Sequence, residues 1–314
     1  MQKVITNTDF NFRDLKSKYT GKVRDVYSLQ NDKLIVISTD RISAFDVIMP
    51  RGITHKGQIL NQISVEMLKK TDDIVENWLI SSPDPNISYG KKCNPLKIEM
   101  VVRGYLSGHS YRLYKSGYRN ICGNILPDNM KENEKFKTPI ITPTTKADIG
   151  NHDQDISPND IFSRNILDRK LYEKLHFISL ELFKRGSEIA SKSGLILVDT
   201  KYEFGLDLEN NIILIDEIHT PDSSRYFYLD SYDNLQDNNL KQKQLSKEFF
   251  REWLMENNFQ GKKDQKIPFI CDKTVELISS RYIELYEKLM NKKFIKDSST
   301  NIVDRIKTNM SNFL

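Results

Sequence analysis

This chain of 314 residues has few of the features that mark disulfide-bonded, zinc-binding or membrane proteins. Its three cysteines, Cys93, Cys122 and Cys271, lie far apart and form no C-x-x-C pair, which argues against a disulfide framework or a zinc ribbon. No apolar run approaches the length of a membrane span, and the polar N-terminus lacks the apolar core of a signal peptide. These absences favour a cytoplasmic protein without a membrane partner.

The sequence also lacks the P-loop motif G-x-x-x-x-G-K-[ST] and the dinucleotide motif G-x-G-x-x-G. Neither sign of charge dominates, because 47 Lys and Arg residues face 43 Asp and Glu residues, for a net charge of +4. The lysines are scattered and do not form a basic face with interleaved aromatic residues, so we expect no nucleic-acid partner. The chain is long enough for two lobes with a sizeable core.

The stretch from Ile196 to Arg225 carries the most chemistry per residue. Its β-branched and aromatic segments, Ile196–Phe204 and Ile212–Ile218, flank a polar turn and therefore predict a β-hairpin. Side chains alternate along a strand, so Asp199, Lys201 and Glu203 share one face and the apolar residues between them face the core. A solvated strand with ordinary surface charges is the alternative interpretation of this pattern.

The second strand of this hairpin ends in acidic residues that predict a metal site. If Leu208 pairs with Asn211, then Glu203 lies opposite Asp216, and two adjacent carboxylates repel each other unless a cation lies between them. Magnesium suits such a pair, since it takes oxygen ligands and completes its shell with water and phosphate. In the loop that follows, Arg225 has a planar fork of donors suited to a phosphate or carboxylate.

Near the N-terminus, the string GKVRDVY predicts a short strand that begins at a glycine, with a second strand at Leu34–Ser38. Gly21 would let the backbone approach a phosphate closely, and Lys22 and Arg24 would lie on the same strand face. Solvated basic residues on an edge strand are the alternative. The following segment STDRISAFD, which includes Ser43, leaves the second strand as a candidate binding loop or a capped turn.

Several helices are predicted from apolar spacing. A helix at Gly57–Lys69 places Asn61 and Ser64 on its polar side. A long helix begins after the cap Ser157 and continues to Ser191. The polar stretch at 230–244 is expected to be a linker, and further helices are expected over 246–255, from 272 or 273 to about 291, and marginally over 301–310.

Six strings in this chain, taken together, closely resemble the signature segments of the phosphoribosylaminoimidazole-succinocarboxamide synthase (SAICAR synthetase) family, in its longer, single-function class. They are GKVRDVY, STDRISAFD, RGYLSGHS, TPTTKADIGNHD, LVDTKYEFG and IDEIHTPDSSRY. The resemblance covers about residues 19–226 and departs from the family pattern at His109, where a serine is common. A surface histidine is the alternative interpretation there.

The resemblance implies an α+β, two-lobed SAICAR synthase-like fold of the ATP-grasp and kinase-like kind, with an antiparallel nucleotide lobe and an α/β second lobe. We expect a nucleotide-binding lobe at 1–105, a catalytic lobe with the metal-binding hairpin at 106–230, and a helical extension packed on the catalytic lobe at 231–314. The active site would lie between the lobes. A monomer is slightly favoured over an oligomer.

The reaction implied is ATP- and Mg²⁺-dependent joining of L-aspartate to carboxyaminoimidazole ribonucleotide (CAIR), which gives SAICAR, ADP and phosphate. A small-molecule kinase on a related fold is the alternative. The implied roles divide the candidate residues as follows: ATP binding, Gly21, Lys22 and Arg24; metal binding, Glu203 and Asp216; catalysis, Lys201 and Asp199; substrate binding, Ser43, Arg103, Ser107, Ser110, Lys146, Asp153 and Arg225. For Lys146 and Asp153 a solvated loop is the alternative.

Overall fold

The structure is a computed structural model that describes residues 4–146, 154–297, 299 and 301–314. Its strands are, in chain order, β1 (Leu15–Thr20), β2 (Arg24–Leu29), β3 (Lys33–Ser38), β4 (Ser43–Ala44), β5 (Val47–Ile48), β6 (Leu79–Asp84), β7 (Ile87–Lys91), β8 (Asn94–Tyr105), β9 (Asn120–Ile121), β10 (Asn124–Ile125), β11 (Lys135–Ile141), β12 (Thr144–Thr145), β13 (Leu195–Leu206), β14 (Ile212–Ile215) and β15 (Ser224–Tyr228). The fold is thus α+β, as predicted.

The helices are α1 (Lys56–Lys69), α2 (Gly108–Lys115), α3 (Pro158–Ser163), α4 (Arg169–Lys192), α5 (Leu229–Asp237), α6 (Glu248–Glu256), α7 (Asp272–Met290) and α8 (Ile302–Asn309). In the part of the chain that the structure describes, none of them is long and apolar enough to cross a bilayer.

The first sheet is antiparallel and has the strand order β1-β2-β3-β7-β6. The predicted strand that begins at the glycine is wrong in detail, because Tyr19 and Thr20 end β1 and the chain turns before β2 starts at Arg24. The backbone N–H of Gly21 donates to the carbonyl of Arg24 at 2.8 Å, which closes this turn. Lys22 therefore lies in the turn and does not share a strand face with Arg24.

The second sheet is built around β13, which pairs on one side with β8 and on the other with β14 and β15. The sheet is antiparallel, and β11 and β12 extend it beyond β8. Tyr202 and Phe204 lie in the main core, as predicted for this face of β13, whereas Val198 packs in a separate cluster with Tyr105 and Phe227, next to a shift in the pairing of β13 with β15. Strand β8, which the expected boundary at residue 105 assigns to the first lobe, is hydrogen-bonded into this second sheet.

Two helix predictions need correction. The single helix expected after Ser157 is interrupted, because α3 ends at Ser163 and Asn165 has a positive φ of 53°. A new helix, α4, then begins at Arg169, and the side chain of Asp168 caps it by accepting the backbone N–H of Leu171. The expected linker at 230–244 instead begins with α5, in which Tyr232 is buried and its hydroxyl donates to the carbonyl of Asn133 at 2.7 Å.

The polar side of α1 is buried rather than solvated. Asn61 is 4% exposed and Ser64 is 7% exposed. The amide of Asn61 donates to Ser82 and to the carbonyl of Pro85, and its oxygen accepts from Ser88 at 2.8 Å. The side chain of Asn61 therefore ties α1 to the β6-β7 hairpin and satisfies the loop carbonyl of Pro85.

The C-terminal helices pack on different parts of the molecule. The apolar residues of α7, including Ile278 and Leu285, join the main core that extends between the two sheets and also contains Ile59 of α1. In contrast, Ile306 of α8 and Met310, which directly follows that helix, belong to a separate core with residues of the first sheet. The expected docking of the whole extension on the catalytic lobe is therefore wrong for α8, which returns to the first lobe.

Candidate active site

A cavity of about 630 Å³ lies between the two sheets. Its apolar wall is supplied by strands of the first sheet, by the segment before β6 and by the hairpin of the second sheet: Val26, Leu34, Val36, Trp78 and Ile215. Its polar wall consists largely of charged side chains from both sheets. The cavity thus combines a surface suited to a flat apolar ring with one suited to several anionic groups.

The polar face of β13 contributes an ammonium and a carboxylate to this cavity. Lys201 donates to Glu99 of β8 at 2.9 Å and to Glu203 at 3.0 Å. Lys146 forms a further ion pair with Glu203. Burial alone would lower the pKa of Lys201, but the carboxylates of Glu203 and Glu99 outweigh it and raise that pKa well above its ordinary value. Lys201 is therefore a fixed positive charge at neutral pH.

Glu203 remains ionised in spite of its burial. Desolvation alone would raise its pKa, but the two neighbouring ammonium groups of Lys201 and Lys146 lower it below the ordinary value. The arrangement holds a negatively charged carboxylate at the cavity, between two ammonium groups that offset its charge.

The predicted register of the hairpin is wrong by one residue. Glu203 pairs with Ile215 and not with Asp216, because Asp207 accepts the backbone N–H groups of Glu209 and Asn211 and closes a loop of odd length. Asp216 nevertheless reaches the same cavity as Glu203, since its positive φ of 68° turns the chain out of β14. Its carboxylate contacts the guanidinium of Arg24, with one nitrogen to oxygen distance of 2.8 Å.

The turn before β2 lies at the same polar wall. Lys22 forms an ion pair with Asp46. Gly21, Ser43 and Asp46 also line the cavity, and Ser43 is 8% exposed. The short strand pair β4-β5 thus brings the segment STDRISAFD beside the turn, although Asp40 within it is used structurally and accepts the backbone N–H groups of Ile5 and Gly57.

A second polar cluster surrounds Asp199, at the other end of the polar face of β13. One oxygen of Asp199 lies 2.6 Å from a guanidinium nitrogen of Arg225 and 3.5 Å from one of Arg103. Arg103 also donates to Thr142 at 2.8 Å, and Arg225 pairs with Glu248 at 3.2 Å. The attraction of the two carboxylates raises the pKa of Arg225 although burial opposes it, so this arginine is charged.

The Arg225 end of this cluster opens into a separate, polar cavity of about 800 Å³. Ser107 lines it and donates to Asn133 at 2.8 Å. Ser110 is fully buried and donates to the carbonyl of Ser107, so its hydroxyl serves the first turn of α2. His109 is exposed and lies 2.7 Å from Asp155, as a surface histidine would. Asp153 lies outside the described residues.

Three charged residues at these sites were missed by the sequence analysis. Glu99 is the one carboxylate within an otherwise apolar strand segment, and that isolation is a signal that could have identified it. Asp222 and Lys247 line the cavity between the sheets. Lys247 follows a polar stretch with no local motif, and only the fold brings it to the site.

The acidic residues fit a magnesium ion only in partnership with a phosphorylated ligand. Within the described ranges, no group of three or more His, Cys, Asp or Glu side chains could hold a metal alone. Glu203 and Asp216 both face the cavity, and magnesium in phosphate-handling enzymes needs only one or two carboxylates. The donor set is therefore compatible with the ion when phosphate oxygens and water supply the other ligands.

Known proteins resemble this chain over nearly its whole length. The family model for SAICAR synthetase matches residues 17–268. A phosphoribosylaminoimidazole-succinocarboxamide synthase of Flavobacterium psychrophilum is 54% identical over 310 residues, which cover 99% of this chain and 98% of the relative. The protein of the same name from Bacteroides thetaiotaomicron is 55% identical over 312 residues, 99% of each.

Solved structures agree with this similarity. A SAICAR synthase from Saccharomyces cerevisiae, solved with SAICAR, aligns with a TM-score of 0.78 at 31% identity, over 92% of this chain and 99% of that one. The two-lobed fold, the cavity between the sheets and the sequence similarity lead to one assignment. The chain belongs to the SAICAR synthetase family, the ATP-dependent ligases of purine biosynthesis.

Proposed function

We propose that this chain joins L-aspartate to the carboxylate of CAIR and produces SAICAR, ADP and phosphate, with the chemistry in the cavity between the sheets. The assignment of the site rests on one observation: residues of the GKVR turn and of the D-x-K-x-E strand line the same cavity. The yeast relative solved with SAICAR supports the product class. The cytoplasmic location and the monomeric state expected from the sequence remain predictions.

The chemistry requires activation of a carboxylate. Its oxygen must attack the γ-phosphorus of ATP, so that ADP leaves and an acyl phosphate forms, since oxide itself is too poor a leaving group. The amine of aspartate then attacks the acyl carbon, the carbon–oxygen bond to phosphate breaks, and nitrogen loses a proton. We propose that Lys22 and Lys201 offset the charge of the transferring phosphoryl group, because both ammonium groups line the cavity.

We further propose that Glu203 and Asp216 hold Mg²⁺ against the phosphates of ATP. When bound, the ion would neutralise part of the phosphate charge. Lys146 and Arg24, which contact these carboxylates, would then be available to the phosphates themselves. The apolar wall around Val26 and Trp78 would accept the adenine ring.

Arg103 and Arg225 are proposed to hold the phosphate of the ribonucleotide. The two guanidinium groups converge on one oxygen of Asp199, which fixes their positions before the ligand arrives. Ser107 lines the adjacent polar cavity with Arg225 and could add a hydroxyl donor. Family membership does not favour the kinase alternative, which would release ADP without aspartate.

The test is ADP release from the purified protein with ATP, Mg²⁺ and CAIR, with and without L-aspartate. We expect aspartate-dependent turnover, and we expect Glu203→Gln to lower kcat by about 10²- to 10³-fold, as for loss of one preorganised charge at a transition state. Glu209→Gln, in the exposed loop of the same hairpin, is the matched control and should retain activity. Turnover that is indifferent to aspartate would point to the kinase, and full activity of Glu203→Gln would refute the metal site.

A further inference from the structure

The cavity between the sheets has an acidic and basic cluster that the proposed ATP, metal and ribonucleotide sites do not use. Asp222 and Lys247 line the cavity. One oxygen of Asp222 lies 3.3 Å from the ammonium nitrogen of Lys247 and 3.0 Å from that of Lys56, the first residue of α1. The other oxygen accepts the hydroxyl of Tyr282 of α7 at 2.7 Å.

The close ion pairs of Lys56 and Lys247 both depend on the carboxylate of Asp222. Lys146 and Lys201 share two carboxylates, Glu203 and Glu99, whereas in the part of the chain that the structure describes the ion pairs of Lys56 and Lys247 are both with Asp222. Lys56 has no exposed side-chain surface, while the side chain of Lys247 is 11% exposed toward the cavity. A nearly buried ammonium with an incomplete set of partners is unfavourable, and an anionic ligand would stabilise it.

Glu217 interacts electrostatically with Lys56 and Asp222, but among the described residues it forms no ion pair with Lys247. Its carboxylate accepts the hydroxyl of Thr220 at 2.8 Å and lies 3.7 Å from the guanidinium of Arg24. Among the described residues, the carboxylate in contact with Lys247 is thus Asp222, at the long distance of 3.3 Å. At least part of the donor capacity of this ammonium faces the cavity.

We infer that Lys247 binds a carboxylate of L-aspartate and so forms the amino-acid subsite of the enzyme. The inference rests on the proposed function, in which the other cavity cations near the nucleotide serve ATP, while Arg103 and Arg225 serve the ribonucleotide. Aspartate carries two carboxylates and an ammonium, so it needs a cation and tolerates a nearby carboxylate. Lys247 beside Asp222 supplies this combination at a cavity wall shared with the proposed phosphoryl-transfer residues.

The same cluster makes aspartate binding depend on pH. Burial, reinforced by the positive charges of Arg251 and Lys56 and opposed by Asp222, lowers the pKa of Lys247 to about 8. Tyr282 faces the same carboxylate from α7. The charged form that attracts a carboxylate is present below this pKa and is lost as the pH rises through it, so the KM for aspartate should rise above about pH 8.

The experiment compares Lys247→Gln and Lys247→Arg with wild type in initial-rate assays of all three substrates. Loss of a charged hydrogen bond to a ligand should raise the KM for aspartate about 10- to 100-fold in Lys247→Gln, with little change in the KM values for ATP and CAIR. Lys247→Arg should retain most of the affinity, and its KM should stay flat across pH 8 because arginine keeps its charge. Lys243→Gln, an exposed neighbour, is the control.

Several outcomes would overturn the inference. A rise in the KM for CAIR instead of aspartate would assign Lys247 to the ribonucleotide, and unchanged KM values in Lys247→Gln would exclude a binding role. A KM for aspartate that stays flat between pH 7 and 9 in the wild-type enzyme would also refute it, and this measurement needs no variant to fold. Failure of the proposed function itself would be distinct, since wild type would then show no aspartate-dependent turnover.

Discussion

Asp199 is the residue whose sequence interpretation the structure changes most. The family resemblance implies a catalytic role for Asp199, but the carboxylate lies between Arg103 and Arg225 and does not line the cavity between the sheets. Because its carboxylate is held between two guanidinium groups, we propose that Asp199 orients the arginines. Asp199→Asn should therefore raise the KM for CAIR and leave the pH profile of kcat unchanged in shape.

The same substitution should also lower the free energy of unfolding by about 2 kcal/mol, because two nearly buried guanidinium groups lose a charged partner while keeping Thr142 and Glu248. Urea unfolding and rate profiles between pH 6 and 9 provide the two measurements. Asp237→Asn, exposed at the end of α5, makes a parallel charge change away from the two arginines. If instead the rise of kcat with pH disappeared in Asp199→Asn, Asp199 would be a catalytic base and not a positioning residue.

At the residue scale, the sequence predicted those site residues whose neighbours show a regular pattern. Lys201 and Glu203 were identifiable because period-two alternation fixes the face on which they lie. Register was not identifiable, since it depends on Asp207 bonding to the loop backbone, and the prediction of Asp216 opposite Glu203 was wrong. Lys247 reaches the cavity through tertiary packing alone, and no local pattern records such a contact.

At the scale of elements, the contact between α4 and the loop after β14 positions the acidic segment. A Cβ atom added at Gly186 would lie 2.4 Å from the ring of His219. That ring is fixed by Tyr202, whose hydroxyl lies 2.7 Å from it, and the carbonyl of His219 accepts the hydroxyl of Tyr226 at 2.8 Å. Burial lowers the pKa of His219 to about 3, so the packed ring is neutral.

Gly186→Ala tests this contact. Alanine would favour an ordinary helix by nearly 1 kcal/mol, but overpacking against a fixed ring costs about 1–3 kcal/mol, so we expect net destabilisation. Because His219 lies between Asp216 and Asp222, its displacement should also lower kcat. Thermal unfolding and initial rates are the measurements, with Lys184→Ala on the exposed side of α4 as control. A raised Tm in Gly186→Ala would show that the contact imposes no constraint.

Some element boundaries could be predicted from apolar periodicity, and others could not. The strand β13 and the helices α1 and α7 follow apolar periodicities and were predicted almost to their ends, whereas β14 ends at Ile215 and not at the predicted Ile218, because the positive φ of Asp216 turns the chain. The division into α3 and α4 was missed, because the cap Asp168 and the left-handed Asn165 interrupt a pattern that continues across them. Helix α5 was missed because its buried contacts come mainly from Tyr232, too few for an amphipathic signal.

At the scale of the whole molecule, the last helix of the chain packs against the first lobe. Two lobes and the cleft between them were expected from the family resemblance, but the position of α8 was not. Ile306 of α8 and the following Met310 share a core with Phe10, Phe12 and Tyr27 of the N-terminal region. The first lobe is therefore completed by the last helix, and contacts this distant along the chain leave no trace in local sequence periodicity.

Arg305 of α8 provides the polar part of this closure. Its guanidinium donates to both oxygens of Asp84, at 2.8 and 3.0 Å, and to Asn86 at 2.7 Å. The side chain of Asp84 has no exposed surface, so Arg305→Gln would leave a buried carboxylate without its main cation. We expect a loss of about 3 kcal/mol in the free energy of unfolding, since breaking a buried ion pair leaves one charge uncompensated.

The effect of Arg305→Gln on activity should fall mainly on the first lobe, because α8 packs on that lobe. Asn86 also donates to the carbonyl of Ser38 at the end of β3, so loosening this corner should disturb the nucleotide side of the cleft. Arg305→Gln should therefore raise the KM for ATP more than the KM for CAIR, whose proposed arginines lie on the second sheet. Lys307→Gln, exposed on the same helix, should change neither urea unfolding nor these constants. Equal rises in both KM values would show instead that α8 stabilises the two lobes as a single unit.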